Sequence, residues 1–232
     1  MKIKNMNKNR KIAMFAGILI ILGIIVGVFS VVPAVESPNY LTEVSKNQNQ
    51  VLIGALFQFI LVPIYIGFAL LLYPILRKYN KSLAIGFVGF RIIAEMFQLI
   101  GVIILPLFVL LSQKFVHAAT TDLLYIQIFG EVLRLGRDLV NHVGMMLPLI
   151  LGNIILYYIF YKTKLIPRWL SIWGFIGNPL AMLASILFFF NLISVVSQEF
   201  IILTIPLVLQ EVVLAFWLII KGFNSSELNL EP

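Results

Sequence analysis

Long apolar runs separated by short charged turns set the pattern of this chain. Lys2, Lys4, Lys8, Arg10 and Lys11 precede an apolar run over residues 12–32, close to the roughly twenty residues that a helix needs to cross the hydrocarbon of a bilayer. A secretory signal has a shorter apolar stretch ending at small residues, so this run predicts a retained membrane helix. Residues 33–50 read as a polar loop, with Glu36, Ser37, Pro38 and Asn39 and then Asn47, Gln48, Asn49 and Gln50. Further spans are predicted over residues 51–76, 82–112, 139–161, 169–193 and 199–220. Basic turns punctuate them at Arg77, Lys78 and Lys81 and at Lys162, Lys164 and Arg168.

Residues 121–138 differ in kind. Leu123, Leu124, Ile126, Ile128, Phe129, Val132, Leu133 and Leu135 alternate with Gln127, Glu131, Arg134, Arg137 and Asp138, the pattern of an amphipathic helix. This segment leads into helix four, and the two together would be longer than a bilayer is thick. The fold class expected is therefore all-α: a polytopic integral membrane bundle of six transmembrane helices, forming one membrane domain over residues 1–232.

Lysine and arginine give the bundle a direction, because cytoplasmic loops are enriched in them. Of the 17, twelve fall on the side of the two termini and two, Lys46 and Lys114, on the other. Arg91, Arg134 and Arg137 lie in or beside apolar segments. Both ends are expected in the cytoplasm.

Composition narrows the function classes. The chain is 61% hydrophobic and 12% charged, with a mean hydropathy of +1.02, whereas soluble domains run near a quarter charged. The net charge of +7 sits at the ends of apolar runs rather than on one face, which argues against nucleic acid as a partner. Cysteine is absent, which excludes disulfides, thiolate metal sites and cysteine nucleophiles. The two histidines, His117 and His142, have no metal-ligand spacing, and no serine elbow, P-loop or dinucleotide glycine motif occurs. Neither metal nor cofactor is expected. The partners expected are membrane lipids and a small-molecule ligand.

Ionisable residues inside a membrane cost free energy and tend to pair or to carry function. Arg91 lies about nine residues past Ser82 and Glu211 about ten before Lys221, which puts both roughly 15 Å deep. Glu95 shares a helix face with Arg91, so one guanidinium bridging two carboxylates is a possible arrangement. Gln210, Asn178 and Tyr65 fall at similar depth. One interpretation is a site for a small polar or amphiphilic molecule that is bound, sensed or transported. A second is an intramembrane enzyme with Glu95 or Glu211 as general base and Arg91 stabilising developing charge. The third is a structural or immunity-type membrane partner, with the charges as a clamp between helices.

A second constellation, Arg134, Arg137, Asp138, Asn141 and His142, recurs at three- or four-residue spacing in the outer half of helix four and its amphipathic extension. It suits either an anionic ligand site with His142 titrating or arginines passing the lipid phosphates. Prolines at 63, 106, 148, 179 and 206 predict kinks in five spans. Gly86-Phe87-Val88-Gly89 echoes Gly174-Phe175-Ile176-Gly177 after the two basic turns.

Several segments together resemble a family of bacterial membrane proteins, the domain of unknown function 4386. They are Gly89, Phe90, Arg91 and Glu95; Lys164, Leu165, Ile166, Pro167, Arg168, Trp169, Leu170, Ser171, Trp173 and Gly174; and Gln210, Glu211, Ala215, Trp217, Leu218, Ile219, Lys221, Gly222 and Phe223. The resemblance implies a bacterial cytoplasmic membrane, multi-pass, and the six-helix architecture. It implies no substrate, though it places Arg91, Glu95 and Glu211 within the matching segments.

Overall fold

The computed structural model describes residues 7–224, and all regular structure among them is helical. In chain order the helices are α1 (Lys8–Phe29), α2 (Pro33–Glu36), α3 (Tyr40–Lys46), α4 (Gln48–Leu76), α5 (Lys81–His117), α6 (Leu123–Leu139), α7 (Met146–Thr163), α8 (Arg168–Phe189) and α9 (Gln198–Ile220). A π-helical turn, Val140–Met145, joins α6 to α7 without a break. Six segments are long and apolar enough to cross a membrane: α1, α4, α5, the 41-residue run Leu123–Thr163, α8 and α9. The predicted spans lie within them, except that α1 ends at Phe29, short of residue 32, and α8 at Phe189, short of residue 193.

The six spans form an up-and-down ring. Each packs beside its neighbours in sequence, α1 on α4, α4 on α5, α5 on α7, α7 on α8 and α8 on α9, and α9 closes back on α1. An even number of crossings puts both ends of the ring on one side, here called the terminal side; the opposite side is the distal side. Outward side chains such as Ile53, Phe59, Ile103, Leu110, Ile202 and Leu209 are exposed, which suits a lipid solvent. Hydrocarbon is as apolar as leucine, so close packing and interhelical hydrogen bonds hold such a ring together.

The predicted polar loop at 33–50 is mostly helical. Pro33, with its fixed φ, starts α2 at the first helical position. In α3, Tyr40, Leu41 and Val44 recur at one-turn spacing and are buried. These residues pack with Leu105, Phe108 and Val109 of α5 into a separate distal core. The polar run at 48–50 begins α4 instead of ending the loop. Helix α5 continues to His117, and at 37 residues it is about 55 Å long, more than the hydrocarbon is thick, with its distal half packed into this core.

Helix α6 turns its faces in the sense that lipid favours. Gly130 and Arg137 are buried, while Leu124, Tyr125, Ile128, Phe129, Val132 and Leu135 are exposed. The helix runs on through every proline in a span, with one local change. Pro148 lacks the N–H that would bond the Gly144 carbonyl, and the backbone just upstream is the π-helical turn.

Candidate functional site

Arg91 is the centre of the polar layer. It stands on the buried face of α5 with Glu95 and Gln98, at 4%, 2% and 9% exposure. Its guanidinium lies over the rings of Tyr65, at 5.6 Å, and Phe68, at 5.5 Å, both from α4, the geometry of cation–π attraction. Arg91 Nη2 donates to Asn153 Oδ1 of α7 at 2.8 Å. Asn153 Nδ2 in turn donates to Asn178 Oδ1 of α8 at 3.0 Å, and Asn178 Nδ2 to the Gly174 carbonyl at 2.8 Å. A parallel chain runs one turn away: Tyr157 Oη donates to Gln210 Oε1 at 2.6 Å and Gln210 Nε2 to the Leu170 carbonyl at 3.3 Å. Four of the six spans, α5, α7, α8 and α9, are tied by these two chains.

The expected guanidinium bridge to two carboxylates is absent. Among the described residues the ion pairs are Lys46–Glu43, Arg137–Glu36 and Arg137–Asp138. Arg91 precedes Glu95 by four residues, the less favourable order for a helical pair, since the carboxylate is better placed N-terminal to the cation. Glu95 Oε2 and Arg91 Nε are buried without a hydrogen-bond partner. Glu211 and Arg91 instead line one small cavity at the centre of the ring, with Ile20, Tyr65, Asn153 and Tyr157. Its volume, about 10 Å³, is that of a single water.

A larger cavity, about 290 Å³, opens on the distal side. It is walled by Ser30, Val31 and Val32 after α1, Glu36 of α2, Gln58 of α4, Gln98 of α5, and Arg137, Asn141, His142 and Met145 of the continuous helix. Arg137 is buried and reaches Glu36 at 3.0 Å and Asp138 at 3.8 Å, so it faces into the bundle and not the lipid phosphates. Arg134 diverges from the group, donating weakly to the Ser37 carbonyl at 3.4 Å and lying 5.0 Å over the Tyr40 ring. His142 packs edge-on against Phe188 and Phe200, with centroids at 6.2 and 5.5 Å. Asn141 stands against Gly101 of α5, where any Cβ would overlap its amide oxygen. That glycine is what allows the amide of the π-helical turn into the cavity wall.

Several polar groups of this region have no hydrogen-bond partner although they are buried: Gln58 Oε1, Arg137 Nε, Asp138 Oδ1 and Asn141 Oδ1. Gln58 does spend its amide nitrogen on the Ser30 carbonyl, at 2.9 Å. Arg91 of the small central cavity and Gln98 of the distal one are buried on one α5 face, with Glu95 between them. Among the described residues no three His, Asp or Glu side chains converge as metal ligands would.

All six residues expected at the midplane are in this region: Tyr65 and Glu211 beside Arg91 at the cavity, Glu95 one turn along, and Asn178 and Gln210 in the two hydrogen-bonded chains. Asn153, the acceptor of Arg91, was not among them, nor were Tyr157, Gln58, Gln98 and Glu36. Asn153 did carry a signal. It lies about ten residues from Thr163, the same depth by helical rise that singles out Arg91 and Glu211.

A closed ring of six apolar helices enclosing a charged layer defines a multi-pass membrane protein of the helical-bundle class. Residues 15–222 match the family described as "Domain of unknown function (DUF4386)", and the chain belongs to that family. Comparison with curated proteins and with solved structures gives no match.

Proposed function

We propose that the protein binds a small polar molecule in the distal cavity, with the Arg91–Glu211 layer as the ionic floor beneath it. The observation that carries this is the set of unpartnered buried groups around that cavity. A buried donor or acceptor left without a partner costs about 1–3 kcal/mol, and Gln58, Arg137, Asp138 and Asn141 each present one. Three of these side chains line a single space of about 290 Å³, close to the lower end of ligand-pocket volumes. Their chemistry describes the ligand. The Gln58 and Asn141 amides and the Arg137 guanidinium put both donors and acceptors in the cavity wall, so the molecule carries both, as an amino acid, a polyol or a nucleoside does.

The α5 stripe supports a further step, movement of the ligand or of its charge toward the midplane. Glu95 stands between Gln98 of the distal cavity and Arg91 of the central one. The central cavity has room for one water at most as packed, so anything larger reaches Arg91 and Glu211 when α1, α4 and α9 separate around Ile20, Tyr65 and Leu214. In this reading the membrane is the bacterial cytoplasmic one, with both termini inside and the distal cavity facing out.

A thermal-shift screen of the purified chain tests the proposal, with amino acids, sugars, polyols and nucleosides as ligands. At least one class is expected to raise the unfolding midpoint saturably, and the Gln58→Leu/Asn141→Leu variant is expected not to respond. No response across the panel, or an equal response in the variant, overturns it.

A further inference from the structure

The two segments richest in the resemblance, around Lys164–Ser171 and Trp217–Phe223, meet on the terminal side, far from the distal cavity. The turn between α7 and α8 and the end of α9 enclose a space of about 440 Å³. Lys164, Arg168 and Lys221 line it together with Trp217, and no Asp or Glu is among its described lining residues. None of the three cations has an ion pair among the described residues. Arg168 lies 5.2 Å over the Tyr161 ring, a contact that leaves its N–H groups available.

The walls of this space are built and held. Arg10 reaches from α1 to the carbonyls of Leu218, Ile219 and Ile220 at 2.8, 2.6 and 2.9 Å. It thereby satisfies the C-terminal carbonyls of α9 that Lys221 would otherwise serve. Lys164 ends α7 in the left-handed conformation, φ 53°. Gly222, at φ 74°, turns the chain where a Cβ would press on Arg10. The Asn224 N–H then donates to the Leu165 carbonyl at 2.9 Å, tying the two segments together.

Three positive charges with no carboxylate among the described residues of the lining, gathered in a concave space, select an oxyanion with several oxygens. The rim decides which kind. Trp169 lies 6.5 Å from both Trp173 and Trp217, centroid to centroid, an aromatic cluster of the sort found where lipid meets water. Next to it Trp169, Ile172, Phe216 and Ile220 expose apolar surface. A free phosphate gains nothing from that rim, whereas a phospholipid lays its acyl chains on it and its phosphate among the cations.

We propose that this cavity binds the phosphate headgroup of an anionic phospholipid. The chain has three tryptophans and all three belong to this cluster, so selectively excited tryptophan fluorescence reports on the rim of the site. The detergent-solubilised full chain is titrated with dioctanoyl phosphatidylglycerol, dioctanoyl phosphatidylcholine and inorganic phosphate. A saturable change is expected with phosphatidylglycerol at concentrations where the other two give none. The Lys164→Gln/Arg168→Gln/Lys221→Gln variant should bind at least tenfold more weakly. Lys78→Gln/Lys162→Gln, on the same side but outside the cavity, should bind as the parent does. Equal affinity for phosphatidylcholine removes the role of charge, inorganic phosphate acting as well as lipid removes the lipid, and equal loss in the control variant removes the site; any of these overturns the proposal. Should circular dichroism show the triple variant unfolded, Lys221→Gln alone is read in its place, with about threefold loss expected and no loss overturning the proposal.

Discussion

Asn153 is the residue on which the charged layer turns. It accepts from Arg91 and donates to Asn178, using both ends of its amide to connect three helices. Asn153→Leu removes both bonds at once and leaves a buried guanidinium N–H and a buried amide oxygen unpaired. The expected cost is about 1–3 kcal/mol, read as a fall of several degrees in the detergent unfolding midpoint. Arg91 and Glu211 give a sharper test, because they share a cavity without bonding. If they act as a clamp, each single Ala variant is destabilised and the double recovers. Sharing a cavity without an ion pair leads to an intermediate expectation: the double variant departs from the sum of the two losses by about 0.5–3 kcal/mol and does not recover to the parent.

Among the elements, the π-helical turn has the clearest consequence for the site. Such turns are uncommon and concentrate at functional positions. This one carries Asn141 and His142 at the distal cavity, and Pro148 supplies a local reason for it. Gly101 on the facing helix keeps the space open, so Gly101→Ala is expected to push the Asn141 amide away. Overpacking of this kind costs about 1–3 kcal/mol, and the thermal shift produced by any cavity ligand should disappear with it. A ligand response in Gly101→Ala equal to that of the parent would separate Asn141 from binding.

For the molecule as a whole, the ring topology puts both termini on one side whatever the orientation, and the charge count chooses between the two orientations. Twelve cationic residues on the terminal side against two on the distal side predict that the termini are cytoplasmic. The absence of cysteine makes this simple to measure, since an introduced thiol is the only one. In intact cells an impermeant maleimide should label Ser45→Cys, in distal α3, and leave Lys78→Cys, in the α4–α5 turn, unlabelled until the membrane is opened. The reverse pattern would turn the protein over.

How much of this was legible beforehand follows from which forces are local. Hydropathy and helical rise are properties of single segments, so the sequence alone determined the helical class, the six spans to within a few residues at most ends, and the common depth of Arg91, Glu211 and their polar neighbours. The short helices of the α1–α4 link were hidden because they depend on burying Val35, Tyr40 and Val44 against α5, a partner some sixty residues on. Whether two charges at one depth bond is likewise no property of either helix. Arg91 turns to Asn153 and the Tyr65 and Phe68 rings, and Glu211 stays across the cavity, because helix rotation and the order of neighbours around the ring aim each side chain. Arg137 shows the same limit: its spacing suited a helix crossing the headgroups, and only the packing of α2 brings Glu36 to it at 3.0 Å. Tertiary structure alone decided which polar groups meet, which remain unpartnered, and where the ring leaves room for a ligand.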